Sequence, residues 1–372
     1  MKMQIEIYNM TVLNDKLNIS LEAVCDSFSS LLWDIEYYKC GAFEVYIAAS
    51  PRNIEIFQTG RIVGRDDDKE HFGLIESVEL ETDAEDGDYL IIKGRFLMCL
   101  LERRIIYPTF NFTKLVSYSQ IAMNVVQHNA CTAGIRKIPG LVVGCSSGSC
   151  WDAKTKLQVS YDNLMEWVYT ICEKIGGTAN IRLSRIDNEQ YEMIFELSQG
   201  TDRSILQEVN PHIIFSDRYN NLLSFTYFTD TSFKKNYAYV LGKGEGEKRK
   251  RTTYFEGTEP SSLERYEVYV DAKDISNEEQ ENGETKPLSE EEYSELLKEK
   301  GKQSLVPITM KSESQIAVQS AQFQYGVDYF VGDFVTVEHH RFGIRQNKIQ
   351  LVGMIESFDR NGRNLTPTFK EE

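Results

Sequence analysis

The chain has 372 residues, of which 41% are hydrophobic and 26% charged, with a formal net charge of −16. That length accommodates about two or three domains with real cores, and the acidic balance excludes general affinity for nucleic acid or anionic lipid, which needs clustered cations. No run approaches the ~20 apolar residues of a membrane span, and seven cysteines in a chain this long do not make a disulfide framework.

Residues 1–106 read as mainly β. Ile5 and Ile7 alternate with Gln4, Glu6 and Tyr8. This opening lacks the apolar run of a signal peptide, so the chain is expected to be made in the cytoplasm and not exported by the usual route. Phe43, Val45 and Ile47 alternate with Glu44 and Tyr46 behind Gly41, a turn position suited to a residue without a Cβ. Asn53–Phe57 reads as a further strand, with Thr59-Gly60 as its turn. Ser77–Glu81 alternates cleanly, and Asp86-Gly87 signals a hairpin into Tyr89–Ile92. Phe96, Leu97, Leu100 and Leu101 recur at helical spacing and predict a short plug helix. Short strands at this spacing predict a small barrel or sandwich.

The period changes over 107–216. Ser117–Ala130 reads as a helix with Ile121, Met123, Val125 and Val126 as its apolar contacts. A second helix starts near Ser160 and Asp162, carries Leu164, Val168, Ile171 and Ile175 on one face, and stops at Gly176-Gly177. Ile181–Leu183 and Tyr191–Leu197 alternate as strands, so this third is α/β.

From 217 the chain returns to β. Leu222–Phe228 and Tyr237–Leu241 read as strands before the Gly242–Gly246 loop. An acidic insertion spans 271–301. In it Ser289 and Glu292 form a capping box, Tyr293, Leu296 and Leu297 give an apolar stripe, and Gly301 closes the helix; the remainder reads as solvated. Tyr329–Val337 and Ile349–Phe358 supply strands, and Asn361-Gly362 turns the chain into Leu365.

Chemistry is sparse. Gly144-Cys145-Ser146-Ser147-Gly148 fits a nucleophile elbow behind the apolar Leu141–Val143. The residues that follow, Ser149–Lys154, do not make an apolar helix, and His212, His339 and His340 lie in β contexts, so the pattern reads as a small-residue surface loop. Cys145 and Cys150, with His128 upstream, lack a second ligand pair at metal spacing. The Gly242–Gly246 loop lacks both the Gly-Lys-Ser/Thr ending and the following helix of a phosphate cradle.

Lys248-Arg249-Lys250-Arg251 near Tyr237, Tyr239, Tyr254 and Phe255 has the cation–aromatic mixture of a single-strand binder. Glu245, Glu247 and Glu256 dilute it, and a hairpin tip pairing with an acidic neighbouring subunit is expected instead. The carboxylates of 278–299 sit on a solvated insertion without the burial that splits catalytic pKa values. His339 and His340, adjacent on a strand, point to opposite faces. No catalytic, cofactor-binding or metal-binding residue is assigned, and no cofactor is expected.

The string Trp33…Tyr37…Gly41-x-Phe43-Glu44-Val45 resembles the opening of the tail-tip baseplate hub proteins of siphophages and prophages, whose longer relatives are the tail-associated lysins. Gly73–Glu76, Lys93–Leu97, Leu100–Arg104, Lys235–Val240, Leu296-Leu297…Gly301 and Tyr329-x-x-Gly332-Asp333-x-Val335 extend the resemblance, in order, over nearly the whole chain.

The resemblance implies an α+β, mainly β, baseplate-hub-like fold. Two small β-barrel domains would flank an α/β domain. The first barrel would be 1–106, the middle domain 107–216, and the second barrel with its C-terminal β region and acidic helical insertion 217–372. It implies a homotrimer at the virion tail tip, synthesised in the host cytoplasm. That trimer would close the tail tube, adapt a sixfold tube to a threefold tip, and open for DNA passage through an acidic lumen. Implied partners are the distal tail protein ring, the tail tube, the tape-measure protein and receptor-binding or tail-fibre proteins. Neither specific nucleic-acid binding nor stable membrane insertion is implied. The family's lytic domains lie beyond the hub, so no enzyme activity is expected. A prophage-derived particle such as a tailocin would share this hub. The alternatives are a receptor-binding tail adhesin and, further off, a serine hydrolase using Ser146.

Overall fold

The computed structural model describes residues 3–14, 16–83, 87–187, 190–246, 249–281, 284–307, 309–316 and 322–370. The first third carries β1 (Ile5–Leu13), β2 (Lys16–Cys25), β3 (Ser30–Glu36), β4 (Ala42–Ala48), α1 (Pro51–Ile56), β5 (Ile62–Arg65), β6 (Asp68–Asp83), β7 (Gly87–Phe96) and α2 (Cys99–Glu102). The middle holds β8 (Phe110–Ser117), α3 (Tyr118–Val126), β9 (Leu141–Ser146), β10 (Lys154–Val159), α4 (Leu164–Ile175), β11 (Thr178–Asp187), β12 (Gln190–Ser198) and β13 (Ile214–Ser216). Then come β14 (Leu222–Asp230), β15 (Tyr237–Leu241), β16 (Arg251–Tyr254), β17 (Glu267–Asp271), β18 (Glu278–Glu281), β19 (Glu284–Pro287) and α5 (Glu290–Gln303). The chain finishes with β20 (Thr309–Ile316), β21 (Phe334–His339), β22 (Ile344–Asp359) and β23 (Gly362–Lys370). The fold is α+β and mainly β.

Period-two burial explains the central strands. Leu31, Trp33 and Ile35 are buried on β3, as are Phe43, Val45 and Ile47 on β4, and the pairs Trp33↔Phe43 and Leu31↔Val45 put them on one face. Each fully buried side chain of this size contributes about 1.5–3 kcal/mol of hydrophobic stabilisation. A continuous hydrogen-bonded path runs β11-β12-β2-β1-β5-β6-β7-β4-β3-β22-β23-β20-β14, open at both ends among the described residues. Within it β3 pairs antiparallel with β22, from Leu31↔Phe358 to Glu36↔Gly353. The first and last thirds of the chain therefore share one sheet.

Among the described residues the apolar side chains gather in three cores. One joins Trp33, Phe43 and Ile92 to Phe215, Tyr329, Met354 and Phe369. Another packs α3 and α4 against β11 and β12, with Leu17 and Ile19 of β2 closing it. A small third core sets Ala238 and Val240 of β15 against Tyr293, Leu296 and Leu297 of α5. The acidic insertion is thus more than a solvated stripe.

Local chemistry overrides the sequence pattern at several points. Asn53–Phe57 is not a strand. Pro51 opens α1 with its φ preset for a helix, and the Ser50 Oγ accepts from Asn53 N at 3.1 Å. Helix α4 is capped by Asn163, whose Oδ1 accepts from Met165 N and Glu166 N, rather than by Ser160 or Asp162. Its stop at Gly176 is as expected, with φ +73°. The helix predicted over Ser117–Ala130 is α3 followed by a π-turn at Gln127–Cys131, where the Asn129 amide donates to Val125 O.

Gly301 does not end α5 but lies inside it. A Cβ there would come within 2.7 Å of Val240 Cγ2, so glycine lets the helix approach β15. Gly41 likewise serves close packing, with a hypothetical Cβ 2.3 Å from Asp34 O and 2.6 Å from the Phe96 ring. Asp86 of the predicted Asp-Gly turn lies outside the described residues, while Gly87 starts β7 opposite Asp83.

Candidate functional site

Residues of two of the sequence phrases, Trp33–Val45 and Tyr329–Val335, converge on one joint. Trp33 is wholly buried, its indole donates to Asp68 Oδ2 at 3.0 Å, and the Phe43 and Phe96 rings lie 5.8 and 4.9 Å away. Just past β3, Tyr37 turns its phenol towards the middle third. Its hydroxyl accepts from Gly200 N at 2.9 Å and donates to Gly176 O at 3.2 Å. Burial drives the Tyr37 phenol well above its ordinary pKa, so it stays a donor at any physiological pH.

Gly332 lies against the same ring, where a Cβ would fall 2.2 Å from Tyr37 Cε2. Next to it, the buried Asp333 carboxylate accepts from Thr201 N at 2.7 Å, Arg203 Nε at 2.9 Å and Phe330 N at 3.0 Å. Gln350 completes the joint, donating to Gly332 O at 3.1 Å and accepting from the Tyr38 hydroxyl at 2.6 Å. Segments from all three thirds meet here with their polar groups paired. Such a joint fixes orientation; it offers no free nucleophile, acid or base.

A second network was not legible in any motif. Arg65 of β5 pairs with Glu356 of β22 and with Asp67, and Arg363 of β23 also reaches Glu356. Nearby, His71 Nδ1 lies 2.9 Å from Asp68 Oδ2. Burial alone would raise the Asp68 pKa, but His71, Arg65 and the backbone N–H of Glu70 hold it well below the usual carboxylate value.

The sequence candidates for chemistry fall apart from one another. Ser146 ends β9 on the exposed surface and is followed by a 3₁₀ turn at Ser149–Asp152, not by the helix an elbow requires. All five histidines are engaged elsewhere: His71 with Asp68, His128 with Asn124 O, His212 with Gln207 O, His339 with Asp217 and the His340 ring with Arg218. Cys145 is exposed and approaches Glu196 at 3.7 Å, whereas Cys150 packs against the α-helical core. Among the described residues no group of three His, Cys, Asp or Glu side chains is placed to hold a metal ion. His339 ends β21 and His340 opens a short turn, so strand alternation does not govern the pair.

Two cations of the basic run, Arg249 and Lys250, find partners within the chain. Arg249 donates to Asp271 at 2.6 Å and to Gly242 O at 2.9 Å, and Lys250 pairs with Glu290 of α5. Folding brings the acidic insertion over the run, which linear spacing does not reveal. Lys248 and Glu247 lie outside the described residues.

Comparison with known proteins fits this joint-and-sheet architecture. The tail protein of Neisseria meningitidis aligns with a TM-score of 0.58 at 13% identity, covering 100% of this chain and 97% of that one. The 43 kDa tail protein of prophage MuSo2 from Shewanella oneidensis aligns with a TM-score of 0.58 at 11% identity, covering 99% and 98%. Prophage tail protein gp18 of Listeria monocytogenes aligns with a TM-score of 0.52 at 10% identity, covering 100% and 95%. At these identities the likeness speaks for the fold. No curated protein sequence matches the chain. The family model described as Siphovirus ReqiPepy6 Gp37-like protein matches residues 5–369. The chain therefore belongs to the Siphovirus ReqiPepy6 Gp37-like family, tail proteins of siphoviruses.

Proposed function

We propose that this tail protein is a homotrimeric baseplate hub at the tail tip, closing the tail tube and opening for DNA passage. In this reading residues 1–106 and 217–372 supply two barrel-like β lobes and 107–216 the α/β domain between them. The supporting observation is the β3–β22 pairing, which sets N-terminal and C-terminal strands side by side within one subunit. Three copies would then present six β lobes, the match a sixfold tube needs on a threefold tip. The net charge of −16 suits a lumen that repels the DNA backbone.

The hub would contact the distal tail ring and tape-measure protein above and receptor-binding proteins below. It acts mechanically and not as an enzyme; the exposed Ser146, without a histidine partner, gives hydrolysis no support. Light scattering with negative-stain imaging of the purified chain tests the proposal. The expected result is a ring with a central hole at about 128 kDa, three copies of the 42.8 kDa chain. A 42.8 kDa particle without a ring at every concentration would overturn it.

A further inference from the structure

Arg103, Arg104 and Arg136 form a cationic surface in an acidic protein. Arg136 donates to Ile105 O and to Tyr107 O, the latter at 3.3 Å, and its guanidinium stands 6.0 Å from the Tyr107 ring centre. Arg104 donates to Arg136 O, which brings the two cations together. Burial and the like charges of Arg136 and Arg103 pull the Arg104 pKa down. The nearby acids are turned elsewhere: Glu102 pairs with Arg95 at 2.6 Å, and Asp162 faces Lys300 and Asp274.

The apolar half of this surface is equally open. Tyr107 and Tyr161 are 54% and 65% exposed with ring centres 6.1 Å apart, and Ile135 is fully exposed. Tyr161 holds this position at φ +60°, a strained conformation for a bulky residue. Tyrosine and arginine prefixed in one patch are the composition of an interface hot spot.

The same chain carries a complementary element. β5 stops pairing with β6 at Leu74, while β6 continues with β7 to Asp83↔Gly87. The distal part of this hairpin exposes Glu79, Leu80 and Glu81. Neither glutamate has an ion-pair partner among the described residues. A leucine between two unpaired glutamates matches a surface of arginines around tyrosine and isoleucine.

We propose that the β6–β7 hairpin of one copy docks on the Arg103–Arg104–Arg136 surface of a second copy, with Leu80 against Tyr107 and Tyr161. The inference rests on the closed homo-oligomer proposed above. Two different surfaces meet, so the contact is head to tail and closes only as a ring.

Charge exchange in the full chain tests it, read as mass by light scattering across a concentration and salt series. Arg103→Glu with Ile135→Glu alters side chains that are not hydrogen-bonded within the chain; Glu79→Lys with Glu81→Lys alters the hairpin. Each pair should weaken association by at least about tenfold, and the four changes together should restore it, because opposed charges then meet again. Tyr161→Gly should also weaken association while raising the melting temperature, since glycine accepts the left-handed backbone. If the unaltered chain forms a ring and the variants form it equally well, or the combined variant fails to recover, this interface is overturned and the ring stands. If the unaltered chain stays monomeric, the closed oligomer falls, and the interface with it.

Discussion

Arg65 and Glu356, 291 positions apart in sequence, form a two-pronged ion pair inside the sheet. The distances are 2.9 and 3.3 Å, and the side chains are 2% and 3% exposed. Asp67 takes the other edge of the guanidinium at 2.9 and 3.0 Å, and the rings of Trp33 and Phe358 lie 5.4 and 4.9 Å from it. The pair bolts β5 to β22, whose neighbour across the sheet is β3.

Removing Glu356 leaves the buried Arg65 with Asp67 alone and takes the carboxylate from Arg363. Glu356→Leu should therefore cost about 3–5 kcal/mol in chemical denaturation. Arg65→Met combined with Glu356→Leu should recover most of that loss, because the charges that lose a partner, Asp67 and Arg363, both reach solvent. A double variant as unstable as the single one would mean that the pair's geometry, and not charge neutralisation, holds these strands.

Asp68 predicts a pH dependence whose sign follows from its depressed pKa. The folded protein binds fewer protons at this carboxyl than the unfolded chain does. The resulting stabilisation is complete above the unfolded value of about 4 and disappears as the pH falls through the folded value. Asp68→Asn should lower the melting temperature near neutrality, and its deficit against the parent should shrink below about pH 4. A deficit unchanged by pH would show that Asp68 acts only as an acceptor for Trp33 and not through its charge.

How much of this was legible depended on range. Phe43, Val45 and Ile47 betray their strand because one buried face forces period two. Asn53–Phe57 shows the same alternation, yet Ser50 and Pro51 start a helix there, since capping acts on fewer residues and wins locally. Tyr37, Gly332 and Asp333 are visible as motif residues, but their meeting point with Gly176, Gly200 and Arg203 exists only once the chain folds. Arg65 and Glu356 sit in no motif, and nothing in linear spacing selects one from the other. Ala238 and Val240, and the stripe of Tyr293, Leu296 and Leu297, are each legible, but nothing in linear spacing pairs them, and Gly301, which lets them approach, carries no apolar signal.

Gly332 should tolerate no side chain. Its φ of +102° disfavours an L residue, and a Cβ would collide with Tyr37. Gly326, at φ +83° with no atom within 4 Å of a hypothetical Cβ, isolates the backbone part of that effect. Gly332→Ala should exceed Gly326→Ala in destabilisation by about 1–3 kcal/mol, the usual overpacking cost. Equal effects in thermal melts would mean that Tyr37 moves aside freely and that the joint is looser than its contacts suggest.

The thiols should react in order of exposure. Cys145 is exposed, whereas Cys99, Cys131 and Cys172 are buried. Burial also pushes the Cys131 and Cys150 thiols up to about 11 and the Cys40 and Cys99 thiols up to about 12, which removes the reactive thiolate. A disulfide reagent at about pH 8 should modify Cys145 first, and Cys145→Ser should abolish that first phase. Rapid labelling of Cys172 in the folded protein would contradict the packing of α4.

The segment 236–305, which contains the acidic insertion 271–301, should be removable as a unit. Its ends are clamped together: Lys235 N donates to Val306 O at 2.7 Å and Val306 N to Lys235 O at 2.9 Å. Between them, β15 and α5 share their own small core, so its folding does not depend on the larger cores. Contacts with the body include Lys174 with Glu299 and Lys156 with Glu295 at 3.8 Å. Lys174 also lines a cleft of about 290 Å³ together with Asp162, Thr170, Asp274 and Lys300. The exposed Lys156–Glu295 pair contributes about 0–1 kcal/mol, and the half-buried Lys174–Glu299 pair ties the segment to α4. Replacing 236–305 by a short Gly-Ser linker should leave one cooperative melt, lowered by no more than a few degrees, about what 1 kcal/mol shifts in a domain of this size. A shortened chain with no cooperative transition would show instead that the insertion nucleates the β sheet it decorates, and that its charged contacts carry far more stability than exposed pairs do elsewhere.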